Sequence, residues 1–253
     1  MARQKGIITI EGTLGNITFF KSQDGYMARE KGGVSAEKIA SDPAFERTRE
    51  NMAEFGRAGK ASKLLRTSLR SLIQKASDSR MVGRLLKNMM FVIHEDAVSP
   101  RGQRNVIDGE ATLLQGFEFN AQGKLGTTLF APYTVTFTRT SGAMEVAFDA
   151  FIASAMVAAP DGTTHFKISL AGSAVDFEAS VYDVESAESA YFPWTSTEVA
   201  AFNLSVALPA ASTHPVFTVL LIEFVQEVNG VKYQLKNGAF NAAAIVKVDA
   251  PPF

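Results

Sequence analysis

The hydrophobic pattern of this chain changes period once, and that change sets the fold class. Between Pro43 and Ala97 apolar residues recur three, four or seven positions apart, whereas from about Gly116 onward they alternate with polar or small residues. The first spacing lines apolar side chains along one stripe of a helix, and the second lines them on one face of a strand. Helices followed by antiparallel strands make an α+β protein.

The helical part begins with a start signal, Asp42 as N-cap and Pro43 at the first helical position. A short helical turn over Ser35 to Ala40 precedes it. Phe45, Met52, Phe55, Gly59, Ser62, Leu65, Leu69, Leu72 and Ala76 then keep the helical spacing, which predicts one long helix over 43–76. Gly56 and Gly59 each cost up to about 1 kcal/mol relative to Ala, so a kink or a close backbone approach is expected there. Ser77-Asp78-Ser79 breaks the chain, and Met81, Leu85, Met89, Val92 and Ile93 predict a second helix ending near Ala97. The two form a helical hairpin.

In the C-terminal part Tyr133/Val135/Phe137, Met144/Val146/Phe148, Phe166/Ile168/Leu170, Val175/Phe177, Phe202/Leu204/Val206 and Tyr233/Leu235 alternate as half-buried strands do. Ala171-Gly172-Ser173-Ala174 reads as a loop between two of them. Val216 to Val225 is apolar on both faces and is expected at a sheet centre. Pro160-Asp161-Gly162, Asn229-Gly230 and Asn237-Gly238 are turn signals. Together these predict an antiparallel β-sandwich of Ig-like or jelly-roll type. The first thirty residues read as a β-meander, with strands at Gly6–Gly12, Ile17–Lys21 and Tyr26–Glu30 joined by Gly-rich turns. The expected organisation is a β-meander arm over 1–34, a basic helical hairpin over 35–104 and an acidic β-sandwich over 105–253.

Charge follows the same division. Residues 1–104 hold 19 Lys and Arg against 11 Asp and Glu, while residues 105–253 hold 6 against 15. One end of the molecule therefore attracts the other end of a copy, or attracts polyanions. The absence of cysteine removes disulfides, thiolate nucleophiles and thiolate metal sites. Of the three histidines, none has a second histidine or a carboxylate at a metal-ligand spacing, and His94-Glu95-Asp96 reads as the polar end of a helix. No nucleophile elbow or phosphate loop is present, so no catalytic, cofactor or metal residue is assigned. No apolar window is long enough to span a bilayer, and the start of the chain lacks the pattern of a signal peptide. A cytoplasmic protein, or one released by a non-classical route, is expected.

The segments Lys5-Gly6-Ile7-Ile8, Glu11-Gly12-Thr13-Leu14-Gly15, Phe19-Phe20-Lys21, Asp24-Gly25-Tyr26 and Arg29-Glu30-Lys31-Gly32, with Glu227 to Asn241, carry a resemblance. In these stretches the chain resembles a family of Bacteroidota proteins without an assigned activity. The resemblance implies a cytoplasmic or phage-like origin and a non-enzymatic role, and brings no catalytic residues.

A small meander at a chain end cannot bury both faces, so it must pack on the body or pair with another chain. The expected function is self-assembly into a filament, lattice or virion-like structure, with the protein itself as partner. Ile8, Ile10, Ile17, Phe19 and Tyr26 would supply strands, and Arg57, Lys60, Lys63, Arg66 and Arg70 would face the acidic sandwich of the next copy. Two alternatives use other surfaces. Tyr191 and Trp194 could stack a sugar or grip a protein ligand, and the basic helices could bind a nucleic-acid backbone, although no aromatic residues interleave with the cations.

Overall fold

A computed structural model describes residues 1–6 and 8–251. The chain divides into two compact units, Met1–Glu50 and Asn51–Phe253.

In the first unit, β1 (Ala2–Arg3), β2 (Gly12–Leu14), β3 (Ile17–Ser22) and β4 (Gly25–Glu30) form an antiparallel sheet in the order β1-β4-β3-β2. The meander is thus present, but its first strand differs from expectation. Gly6 and Ile8–Glu11 belong to no strand, β2 begins only at Gly12, and Ile7 lies outside the described residues. Instead the Gln4 side chain reaches the backbone of Ile10, accepting from its N–H at 2.9 Å and donating to its carbonyl at 3.1 Å. A six-residue helix, α1 (Ala36–Ser41), follows, capped by Ser35. Asp42 then caps a 3₁₀ turn over Pro43–Phe45 by accepting from Ala44 N–H at 2.9 Å.

The expected long helix is interrupted. It runs as α2 (Glu46–Ser68) and resumes as α3 (Arg70–Ile73). At the break the Ser68 hydroxyl donates to the Leu65 carbonyl at 2.9 Å, competing with Leu69 N–H, whose own bond to that oxygen is 3.3 Å. Gly56 and Gly59 lie inside the unbroken part of α2, and a Cβ at either would meet nothing within 4 Å, so they mark neither a kink nor a close approach. The second helix, α4 (Met81–His94), stops short of Ala97. Asp96 turns the chain there, its carboxylate accepting from Val98, Ser99 and Asn105 N–H at 2.8–3.0 Å.

After two short helices, α5 (Leu125–Thr128) and α6 (Ala153–Met156), and the strands β5 (Tyr133–Thr138), β6 (Ala143–Phe148) and β7 (Phe151–Ile152), come the two long strands of the molecule. These are β8 (His165–Asp176) and β13 (Val216–Val228), which pair antiparallel along ten positions. Between them lie β9 (Val181–Glu188), β10 (Phe192–Pro193), β11 (Glu198–Val199) and β12 (Phe202–Ala207). β9 and β10 pair with the outer edge of β8, and β14 (Val231–Gln234) and β15 (Ala242–Asp249) pair with the far edge of β13. A second sheet has the order β12-β6-β5.

The large sheet is covered on both faces. On one, Leu65, Leu69, Leu85, Met89 and Ile93 of the helices share a core with Phe217, Val219 and Leu221 of β13. On the other, Met144, Val146 and Phe148 of the small sheet pack against Phe166, Ile168, Leu220, Ile222 and Phe224. Successive residues of β13 alternate between these two cores, which is why the strand is apolar on both faces. The composition change at Ser99–Arg104 therefore falls inside one packed unit.

Ala171–Ala174, expected as a loop, is the buried middle of β8. The residues are small because both layers press on them: a Cβ on Gly172 would lie 2.8 Å from Met144 Sδ. Asn229-Gly230 makes the expected tight hairpin, both residues having positive φ (52° and 78°).

Candidate assembly surfaces

No described residue between Met1 and Glu50 is buried. Cross-strand pairing sorts the side chains of the N-terminal sheet. Leu14 opposes Ile17, and Phe19 opposes Ala28, so these residues, with Ala2 and Tyr26, share one face. Ala2, Leu14, Ile17 and Ala28 of that face line an open groove of about 680 Å³, together with Met1, Asn16, Arg29 and Glu30. Leu14 is 74% exposed and Ile17 is also exposed, while Phe19 and Tyr26 are half-buried. Lys21 lies 5.5 Å from the Tyr26 ring centre. Ile8 and Ile10 are not on the sheet; both are exposed, Ile8 at 82%, and the Ile10 backbone is held by the Gln4 side chain. The structure thus brings Ile17, Phe19 and Tyr26 together and leaves Ile8 and Ile10 apart from them in the ladder.

The helical cations divide. Arg57 is turned inward, donating to the Gly102 and Arg104 carbonyls at 2.7 and 3.3 Å. Arg104 returns to the same helix, bonding both oxygens of buried Glu54 at 2.8 and 3.0 Å. Burial works against the Glu54 charge, but Arg104 and the Gly102 N–H (2.7 Å) hold its carboxyl below the usual carboxylate range. Arg104 thus fastens the loop that follows α4 to α2. Lys60 remains exposed beside a cleft of about 230 Å³ bordered by Phe177 and Glu178. Lys63, Arg66 and Arg70 line another cleft of about 300 Å³ whose walls carry no acidic residue. Arg66 Nε is buried there without a hydrogen-bond partner.

The acidic counterpart is β9, Val181-Tyr-Asp-Val-Glu-Ser-Ala-Glu188, exposed along nearly its whole length. It pairs only with β8, so its other edge has no strand partner among the described residues. Near its end Lys75 and Lys167 alternate with Glu188 and Glu223 in a closed network: Lys75 bonds Glu188 at 2.9 Å and Glu223 at 3.1 Å, and Lys167 bonds Glu188 at 2.6 Å. Hydrogen bonds from Lys167 and Lys75 lower the Glu188 carboxyl. Burial pulls the Lys75 ammonium down, but the bonds it donates to the Glu188 and Glu223 carboxylates outweigh that and raise it above its ordinary range. Sequence reasoning missed this group. Its signal was a lone Lys in Phe166-Lys167-Ile168 and a lone Glu in Ile222-Glu223-Phe224, which the register sets directly opposite one another.

Tyr191 and Trp194 are put to different uses. The Trp194 indole N–H donates to the Val157 carbonyl at 3.0 Å, and its ring packs on the core between the sheets. Tyr191 is exposed, with Lys167 and Lys232 at 5.3 and 5.6 Å from its ring centre.

Among the described residues no cluster of three or more His, Cys, Asp or Glu is placed to hold a metal ion, and no helix is long and apolar enough to cross a membrane. Comparison with protein-family models, with curated proteins and with solved structures returns no match.

Proposed function

We propose that the protein is a non-enzymatic structural subunit that associates with copies of itself, its N-terminal strands adding to a neighbouring molecule. The observation that carries this reading is the N-terminal sheet, four short strands with no buried residue and one largely apolar face that also carries Lys21 and Glu30. Small sheets need a covered hydrophobic face to persist in water. A second copy supplies that cover, and the opposed charges of residues 51–104 and 105–253 set the orientation of approach. Contacts of that kind are head-to-tail and propagate unless they close into a ring.

Sedimentation velocity and negative-stain microscopy of the full chain, beside a chain lacking residues 1–34, test the reading. The full chain is expected to form concentration-dependent oligomers and the shortened chain to remain monomeric. A full chain that stays monomeric at high concentration refutes it. The Lys63–Arg66–Arg70 cleft favours one second reading, binding of a phosphate backbone; a salt-dependent gel shift on duplex or single-stranded nucleic acid that charge removal at these residues abolishes is its signature.

A further inference from the structure

Resting on the self-association reading, we propose that β5 of one copy receives Ile8-Thr9-Ile10 of another as an added antiparallel strand, Gln4 holding that segment until β5 takes its place.

The first support is an unfinished core. Among the described residues β5 pairs only with β6. Its Tyr133, Val135 and Phe137 belong to the core between the sheets yet are only half-buried, whereas the β6 residues directly opposite, Phe148, Val146 and Met144, are fully buried. One more strand beyond β5 would remove that difference. At the other edge of the same sheet Leu204 of β12 is already buried, and Phe202 stacks on Phe148 at 4.8 Å. Nor does β5 carry the features that keep free edges apart. It has no charge, proline or bulge, and all six residues are β-branched or aromatic. Arg139, just past its end, is tied to Asp249 and to the Ser212 and His214 carbonyls.

The flank beneath favours a lone strand over a second sandwich. β5 lies over β15, and residues 116–119 extend the large sheet past β15 by bonding to Ala243 and Ile245. A sandwich brought edge to edge would meet that ledge, while an extended arm would lie along it.

The second support is the way the donor is held. The Gln4 amide accepts from the Ile10 N–H and donates to the Ile10 carbonyl. That two-point contact is the one a hydrogen-bonded residue pair of an antiparallel ladder makes. In β5 the Thr138 carbonyl accepts from the Ser141 and Gly142 N–H groups of the turn and so faces β6. Alternation along the strand then directs the backbone groups of Val135 and Phe137 outward. Setting Ile10 opposite Val135 and Ile8 opposite Phe137 exchanges the Gln4 amide for a backbone amide, like for like. The same register lays both exposed isoleucines on the half-buried side of β5 and sets Thr9 beside Thr136, cross-strand pairs of the stabilising kind. Glu11 falls opposite Thr134 on the solvent face, where β5 has no acidic residue. Against β9 the same segment, its isoleucines over Tyr182 and Val184, would bring Glu11 beside Asp183 and Glu185.

The absence of cysteine in the parent chain makes the test direct. Thr9 and Thr136 would form a non-hydrogen-bonded pair, close enough for a disulfide. Full-length Thr136→Cys is mixed in turn with full-length Ile8→Cys, Thr9→Cys and Ile10→Cys, one chain of each pair tagged, under mild oxidation, with circular dichroism as the folding control. The mixed disulfide is expected severalfold more abundant with Thr9→Cys than with either neighbour, and more abundant than between Thr9→Cys and Asp183→Cys. Equal yields at the three donor positions, or a preference for Asp183→Cys, overturn the β5 assignment. A chain carrying both Thr9→Cys and Thr136→Cys that closes only on itself overturns the assignment to a second copy. In sedimentation velocity Gln4→Ala is expected to tighten association severalfold; unchanged or weaker association overturns the role given to Gln4. Should the parent associate through residues 1–34 while no Thr9–Thr136 bridge forms, the self-association reading stands and the β5 site falls. A parent chain that is monomeric at every concentration and forms no bridge overturns both.

Discussion

Glu54 is 1% exposed and lies on α2, where a helix stripe alone would not reserve a place for a carboxylate. Its partners come from about fifty residues later, Arg104 and the Gly102 N–H. Because its folded pKa lies below the unfolded one, the stabilisation is complete above the ordinary carboxylate range and is lost as pH falls through that range toward the folded value. Asp78 and Asp96 behave alike: burial opposes their charge, but backbone N–H groups, aided at Asp78 by Arg84, lower both pKa values. Thermal melts between pH 3 and pH 7 should therefore show stability falling as pH drops below about 4.5, with a shallower fall in Glu54→Gln. At neutral pH that substitution should cost about 2–3 kcal/mol, less than for a wholly buried pair because Arg104 keeps part of its surface in water. An unchanged melting temperature would mean that the loop is held by other contacts.

The helix α4 presents Met81, Leu85, Met89, Val92 and Ile93 to the sheet and leaves Val82 and Phe91 outside. Leu85→Ala should thus destabilise by about 2–5 kcal/mol, and Val82→Ala by under about 1 kcal/mol, in urea unfolding. Equal effects would place the helix in a different rotation. Elements of this kind were legible, since period, cap and turn chemistry agreed: Asp42-Pro43 began a helical segment, Asn229-Gly230 turned a hairpin, and Val216–Val225 lay at the centre of its sheet. Three others were not. β9 alternates only over Tyr182-Asp183-Val184-Glu185 and then passes into Ser186-Ala187-Glu188; exposed along most of its length, it carries too short an apolar pattern to stand out. β15 opens with Ala242-Ala243-Ala244, small residues that fit between packed layers but have little strand preference of their own. Ile8–Ile10 reads as a strand because composition reports what a segment can pair with, and a single chain need not contain the partner. The same limit hid the division of the cations, since Arg57 and Arg104 look as free in sequence as Lys63 and Arg70.

At the scale of the whole molecule, opposed net charges in two stretches of chain make association sensitive to salt. Raising sodium chloride from 50 to 500 mM should weaken self-association, and the midpoint concentration read by light scattering should rise accordingly. Association that strengthens with salt would point to apolar contact alone. Another consequence follows from the shared core of helices and large sheet. Leu65 and Leu69 share a core with Phe217 and Leu221, roughly 150 residues downstream, so at 5–20 residues per second the ribosome delivers that part of the cover about 8–30 s after the helices have emerged. During that interval the greasy side of the nascent hairpin has nothing of its own to lie on. Chains released early, before Val216, should clump or be captured by chaperones, which makes the synthesis of Val216–Val228 the step that commits the polypeptide to solubility.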